Sequence, residues 1–177
     1  MAQQPLRDLH LLLIIKLVKH TSMLLTETAD QTFLLQYVKD YCEALAENYR
    51  IYHKRTLQGN PSGNYPEYAR EQLQAMEDGT ANLMRFRMQE GKKYYKIIQE
   101  EYCDASHYYG TKAGYTDRSV HSFVGKEKSI LGNVYKPASW KAPHTKHVRF
   151  SFCEPEDLRK LLDPNFVDWA GGYLYLR

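Results

Sequence analysis

At 177 residues the chain has the usual length of one domain, and 43% hydrophobic with 25% charged residues excludes a low-hydrophobicity disordered chain. The net charge of +3 is too small to mark the whole chain as a nucleic-acid binder. No Gly-x-x-x-x-Gly-Lys-[Ser/Thr] and no Gly-x-Gly-x-x-Gly occurs, so the common nucleotide loops are excluded as well.

In chain order, a first helix is expected from Pro5 or Leu6 to about Thr26, apolar around most of its circumference at Leu9 and Leu11 to Ile15. The apolar run Leu9 to Val18 is interrupted by His10 and Lys16 and is too short for a bilayer, so no membrane span is expected. Asp30 to Gly59 is the cleanest amphipathic stretch. Leu34, Val38, Tyr41, Leu45 and Tyr52 share one face of a 3.6-residue helix, Asp30 can cap its start and Gly59 can end it. The run Gly59 to Pro66 reads as a loop. A long third helix is expected from Pro66 to Tyr108, carried by Ala69, Leu73, Met76, Leu83, Phe86 or Arg87, Tyr94, Ile98 and Tyr102, and kinked or broken at Gly79 or Gly91.

From Gly110 to Cys153 helical periodicity fades, and Gly and Pro punctuate the chain. This stretch holds the whole positive surplus: Lys112, Arg118, Lys126, Lys128, Lys136, Lys141, Lys146 and Arg149 stand against Asp117 and Glu127 only. Single aromatics are interleaved: Tyr115, Phe123, Tyr135, Trp140, Phe150 and Phe152. His147 to Phe152 alternates well enough for a short strand. Glu154 to Leu162 reads as a short helix with an acidic first turn, ended by Pro164, and Gly171 to Arg177 as a terminal strand. The fold expected is therefore mainly α: a three-helix bundle over 1–109, an extended basic aromatic arm over 110–153, and a short helix and strand over 154–177.

Few residues offer chemistry. Cys103 and His107, four apart on the expected third helix, and His144 and His147, three apart, would supply four zinc ligands, but their spacing matches no common zinc motif and no metal or other cofactor is expected. Cys103 with His107 and the adjoining Asp104 would be the elements of a thiol nucleophile, yet Asp104 points about 100° away on a helix and no oxyanion loop is apparent. An enzyme is not expected. Three cysteines, an odd number with no leader pattern, suit free thiols in a reducing intracellular compartment, cytoplasmic or nuclear, with an organelle as the alternative.

Lys146-His147-Val148-Arg149-Phe150 resembles the RVxF-type peptide that docks on protein phosphatase-1, and Ser129-Ile130-Leu131-Gly132 partly resembles the SILK-type element of such regulators. The resemblance covers nine residues and departs at Gly132, where a basic residue is expected, and at His147. It implies strand addition with Val148 and Phe150 in two pockets.

The function that the sequence favours is a non-enzymatic interaction or structural subunit of a larger assembly. Its contact residues would be Lys136, Trp140, Lys141, Lys146, Val148, Arg149 and Phe150, with Trp140 the foremost anchor. Nucleic-acid binding through the same arm is the alternative, by backbone contacts and stacking. A small enzyme or a phosphatase-docking regulator stands third.

Overall fold

The computed structural model describes residues 27–59, 66–104 and 113–175, with the side chains of the opening helix from residue 31 onward. Its elements, in order, are α1 (Glu27–Gly59), α2 (Pro66–Glu77), β1 (Arg85–Glu90), β2 (Tyr94–Cys103), β3 (Gly114–Gly125), β4 (Asn133–Tyr135), β5 (Phe150–Ser151) and α3 (Pro155–Leu161). Single 3₁₀ turns lie at Lys128–Ile130 and Gly172–Leu174. The chain divides into two units, 1–33 and 34–177. Of the first, only the opening turns of α1 are described.

The five strands form one antiparallel sheet in the order β1-β2-β3-β4-β5. This overturns the expected mainly α three-helix bundle. α1 is the amphipathic helix that its spacing predicts, and Leu34, Val38, Tyr41 and Leu45 are buried. Tyr52, on the same expected face, is 49% exposed. The surface that α1 covers is not another helix but the sheet: its residues share one core with Phe86, Tyr95, Ile97, Val124, Val134 and Phe150, closed by Phe152, Leu161, Val167 and Leu174. Burial of each such side chain contributes roughly 1.5–3 kcal/mol.

The expected third helix stops at Glu77. Gly79 takes a left-handed φ of 70° just beyond it, a conformation that favours glycine. The chain then enters the hairpin β1–β2, in register Arg85↔Glu100 to Glu90↔Tyr95. The helical reading fails here for a geometric reason. Tyr94, Ile98 and Tyr102 are four apart, and four residues return to the same face of a helix and of a strand alike. Gly91, an expected kink point of that helix, sits in the turn between the two strands, its N–H bonded to the Tyr94 carbonyl at 2.9 Å.

The expected arm is not an arm either. Its first part is β3, which pairs with β2 across the 109/110 boundary. Its later parts, β4 and β5, complete the sheet. Part of its positive surplus lies against acids of the first two strands: Lys126 with Glu90, and Arg118 with Glu101 at 3.2 Å. The pairs are partly exposed, and each is worth at most about 1 kcal/mol. The short strand expected over His147 to Phe152 is present as Phe150–Ser151, and the helix expected over Glu154 to Leu162 as Pro155–Leu161. In place of a terminal strand the chain makes the Gly172–Leu174 turn. The helix expected over Pro5 to Thr26 lies outside the described residues.

Candidate functional site

Between β4 and β5 the chain makes an excursion, residues 136–149, that is itself a narrow hairpin. Pro137 bridges Pro143, the His144 N–H bonds the Lys136 carbonyl at 2.9 Å, and the Ala138 N–H bonds the Ala142 carbonyl at 3.0 Å. Prolines at the bridge stiffen both legs, because each fixes its own φ. The tip is Ser139-Trp140-Lys141, where the Lys141 N–H bonds Ser139 Oγ at 3.3 Å.

Trp140 is 42% exposed at this tip. Lys96 of β2 places its Nζ 5.5 Å from the Trp140 ring and 6.0 Å from the Phe123 ring. Lys136, at the hairpin base, lies 4.5 Å from the ring of Tyr175. Lys141, Lys146 and Val148 are exposed. The sheet and hairpin thus assemble a cationic surface around one exposed indole, with Lys96 joining it from β2. Sequence reasoning missed Lys96, because only the tertiary fold carries β2 beneath the hairpin tip.

Two other expected contact residues are placed differently. Phe150 is buried, with its ring packed against Phe166 at 5.7 Å and Tyr173 at 5.5 Å. Arg149 is buried beside it. For the phosphatase-docking pattern this means that Phe150 would have to leave the core to fill a partner's pocket. The upstream Ser129 and Ile130 lie in the 3₁₀ turn.

The expected zinc set does not share an element. Cys103 ends β2, opposite Gly114, rather than lying on a helix, and its Sγ lies 3.1 Å from Thr116 Oγ1. His144 and His147 stack at 6.4 Å within the β4–β5 hairpin, and His107 lies outside the described residues. Among the described residues no group of three His, Cys, Asp or Glu side chains could hold a metal ion.

A second polar constellation, which no sequence motif announces, is sealed inside the core. The register of β3 against β2 skips His121: Ile98 pairs with Val120 and Ile97 with Ser122. The extra residue makes a β-bulge, and a bulge re-aims a side chain. His121 and Ser122 both reach Tyr41 of α1, while the flanking Val120 and Phe123 form a separate cluster with Tyr135. His121 Nε2 donates to the Asp168 carbonyl at 3.0 Å, which leaves Nδ1 as the acceptor, 3.2 Å from Ser122 Oγ. Burial pushes the imidazole down to about 4, against the opposing pull of Asp168. Burial likewise raises the Tyr41 and Tyr173 phenols. Ser122 and His121 are adjacent as a nucleophile and base would be. Both are buried, however, and the bonds to Tyr41 and Asp168 occupy them as parts of the fold.

A model described as a family of unknown function, DUF7717, matches residues 17–176. No curated protein matches the chain, and no solved structure does. Among the described residues no helix is long and apolar enough to cross a membrane.

Proposed function

The chain belongs to that family of unknown function, DUF7717, and we propose that it is a non-enzymatic interaction subunit that holds an acidic protein partner on its β4–β5 hairpin. The observation that carries this reading is Trp140: a large indole, exposed at the tip of a proline-braced hairpin, with Lys96 against its ring and Lys141 beside it. A tryptophan held rigidly before contact loses little freedom on binding, and interface tryptophans carry a large share of binding energy. The surrounding lysines select a partner of negative potential and speed its approach.

The burial of Phe123, Tyr135, Phe150 and Phe152 weighs against the nucleic-acid alternative. A single-strand track needs successive exposed rings, and of the six interleaved aromatics Trp140 is the one that is largely exposed. The sealed His121 cluster supports the non-enzymatic reading, since substrate has no route to it without opening the core.

Affinity capture from native cells, with and without nuclease, tests the proposal. The wild-type chain is expected to retain a protein partner after nuclease, and Trp140→Ala to lose it while its circular dichroism stays unchanged. Loss of the partner on nuclease treatment, or full retention by Trp140→Ala, would overturn it.

A further inference from the structure

Arg149 closes the base of the same hairpin. Its backbone N–H bonds the Val134 carbonyl at 2.8 Å, which fixes the residue just before β5. The residue is only 5% exposed. Its Nε has no hydrogen-bond partner, and no Asp or Glu among the described residues comes within ion-pair distance of it. His144 Nδ1, in the same hairpin, is also buried without a partner. The chain supplies no counter-charge nearby in sequence: residues 128–153 contain no Asp or Glu, while Lys128, Lys136, Lys141, Lys146 and Arg149 all fall in that stretch.

A guanidinium keeps its charge at every accessible pH, so it cannot escape burial by losing a proton. Taking part of such a charge out of water without a carboxylate or phosphate beside it lowers stability, and here the Nε is the buried, unsatisfied donor. A fold that keeps it gains back the loss when an anion arrives, and a guanidinium presents a fork of donors that fits two oxygens at once. We propose that Arg149 is the anchor of an oxyanion site at the base of the β4–β5 hairpin, with the hairpin lysines drawing the anion in. The ligand is a carboxylate or phosphate group. The site goes beyond the Trp140 surface and stands whether or not that surface takes a protein partner.

The sign of a substitution separates this site from an internal ion pair. When a buried Arg has a partner in its own chain, its removal strands that partner and lowers stability. When it has none, an apolar side chain of similar length is tolerated or stabilising.

The experiment compares melting temperatures of the full chain in sodium chloride, inorganic phosphate and a tri-aspartate peptide, at matched ionic strength. Wild type is expected to melt higher with phosphate or with the peptide than with chloride, by the shift that ligand binding to the folded state alone produces. A rise with phosphate alone assigns a phosphoryl ligand, and a rise with the peptide alone assigns an acidic side chain. Arg149→Met is expected to melt at or above wild type in chloride and to show no rise with either anion. Lys92→Met, which removes an exposed charge from the β1–β2 turn outside the hairpin, is expected to keep the rise. No rise in wild type overturns the site, as does an equal rise in Arg149→Met. Loss of the rise in Lys92→Met as complete as in Arg149→Met marks an adventitious ion only and overturns the site. An Arg149→Met chain that melts far below wild type in chloride, or fails to fold, shows an internal structural role and overturns it as well.

Discussion

Tyr41, in the middle of α1, shares a hydroxyl–hydroxyl hydrogen bond with Tyr173, in the closing 3₁₀ turn, across a sequence separation of 132 residues. The pair ties the C-terminal segment to the helix that organises the core. Around it stand Ser122 and the Nδ1 of His121, each 3.4 Å from the Tyr41 hydroxyl. Tyr41 is buried and Tyr173 half-buried, and while Tyr41 also has Ser122 and His121 in reach, the Tyr173 hydroxyl is satisfied by Tyr41.

Removing either hydroxyl should therefore cost more than a surface bond would. Tyr41→Phe and Tyr173→Phe are each expected to destabilise by roughly 1–2 kcal/mol, and the double variant by less than the sum. Chemical denaturation of the four chains measures the coupling. Strict additivity would show that the two hydroxyls do not act as a pair.

Acidification should act through His121. Its folded value lies near 4 and its ordinary value is 6.5, so the unfolded chain takes up the proton first. The stability due to the neutral, buried ring is fully present above pH 6.5 and is lost as pH falls from 6.5 towards 4, by about 3 kcal/mol in all. Unfolding midpoints between pH 7 and pH 5, above the range where most carboxylates titrate, should fall for wild type and fall less steeply for His121→Gln, the residual slope coming from His53, whose partly buried ring is also held below the usual imidazole range. An equal slope in both would place the acid sensitivity elsewhere.

Gly125 ends β3 where the following loop folds back on it. A Cβ there would lie 2.0 Å from the Ile130 carbonyl oxygen, a backbone atom held by the 3₁₀ turn. Gly125→Ala is expected to destabilise by about 2–3 kcal/mol, as overpacking does in a core. Gly59 ends α1 with open space around it, and Gly59→Ala is expected to be neutral or to stabilise by up to about 1 kcal/mol. Thermal melts of the two variants give the comparison, and similar melts would show that the loop yields.

The thiols should separate by burial. Cys42 faces the core, and desolvation first, then the nearby Glu43, push its thiol up to about 12, so almost no thiolate is present at neutral pH. Cys153 is exposed. Brief alkylation of the native chain followed by mass spectrometry should mark Cys153 and leave Cys42 unmarked until denaturant is added. Early marking of Cys42 would mean that α1 lifts from the sheet under native conditions.

Much of the candidate surface is legible in the order of residues alone. Trp140, Lys136, Lys141 and Lys146 stand out as cations around a lone indole in a Gly- and Pro-punctuated stretch. Arg149 and Phe150 fall in the short strand expected over His147 to Phe152, but nothing local sets them apart as buried. Their burial follows from the pairing of β5 with β4, a contact that no pattern within five residues encodes. Lys96 and the His121 bulge lie beyond sequence reading for the same reason, since each gains its meaning from a neighbouring strand.

By itself the sequence determined α1, α3 and the excess of positive charge between Gly110 and Cys153, because capping, periodicity and charge are local properties; the helix expected to run from Pro66 to Tyr108 ends instead at Glu77. Only the tertiary structure decided that α1 covers a sheet rather than two helices. Spacings of four residues suit a helix face and a strand face equally, and the choice between them falls to the cross-strand partners. Those partners join Tyr94 to Gly125 and Val134 to Phe150, and they turn an expected arm into the second half of the core.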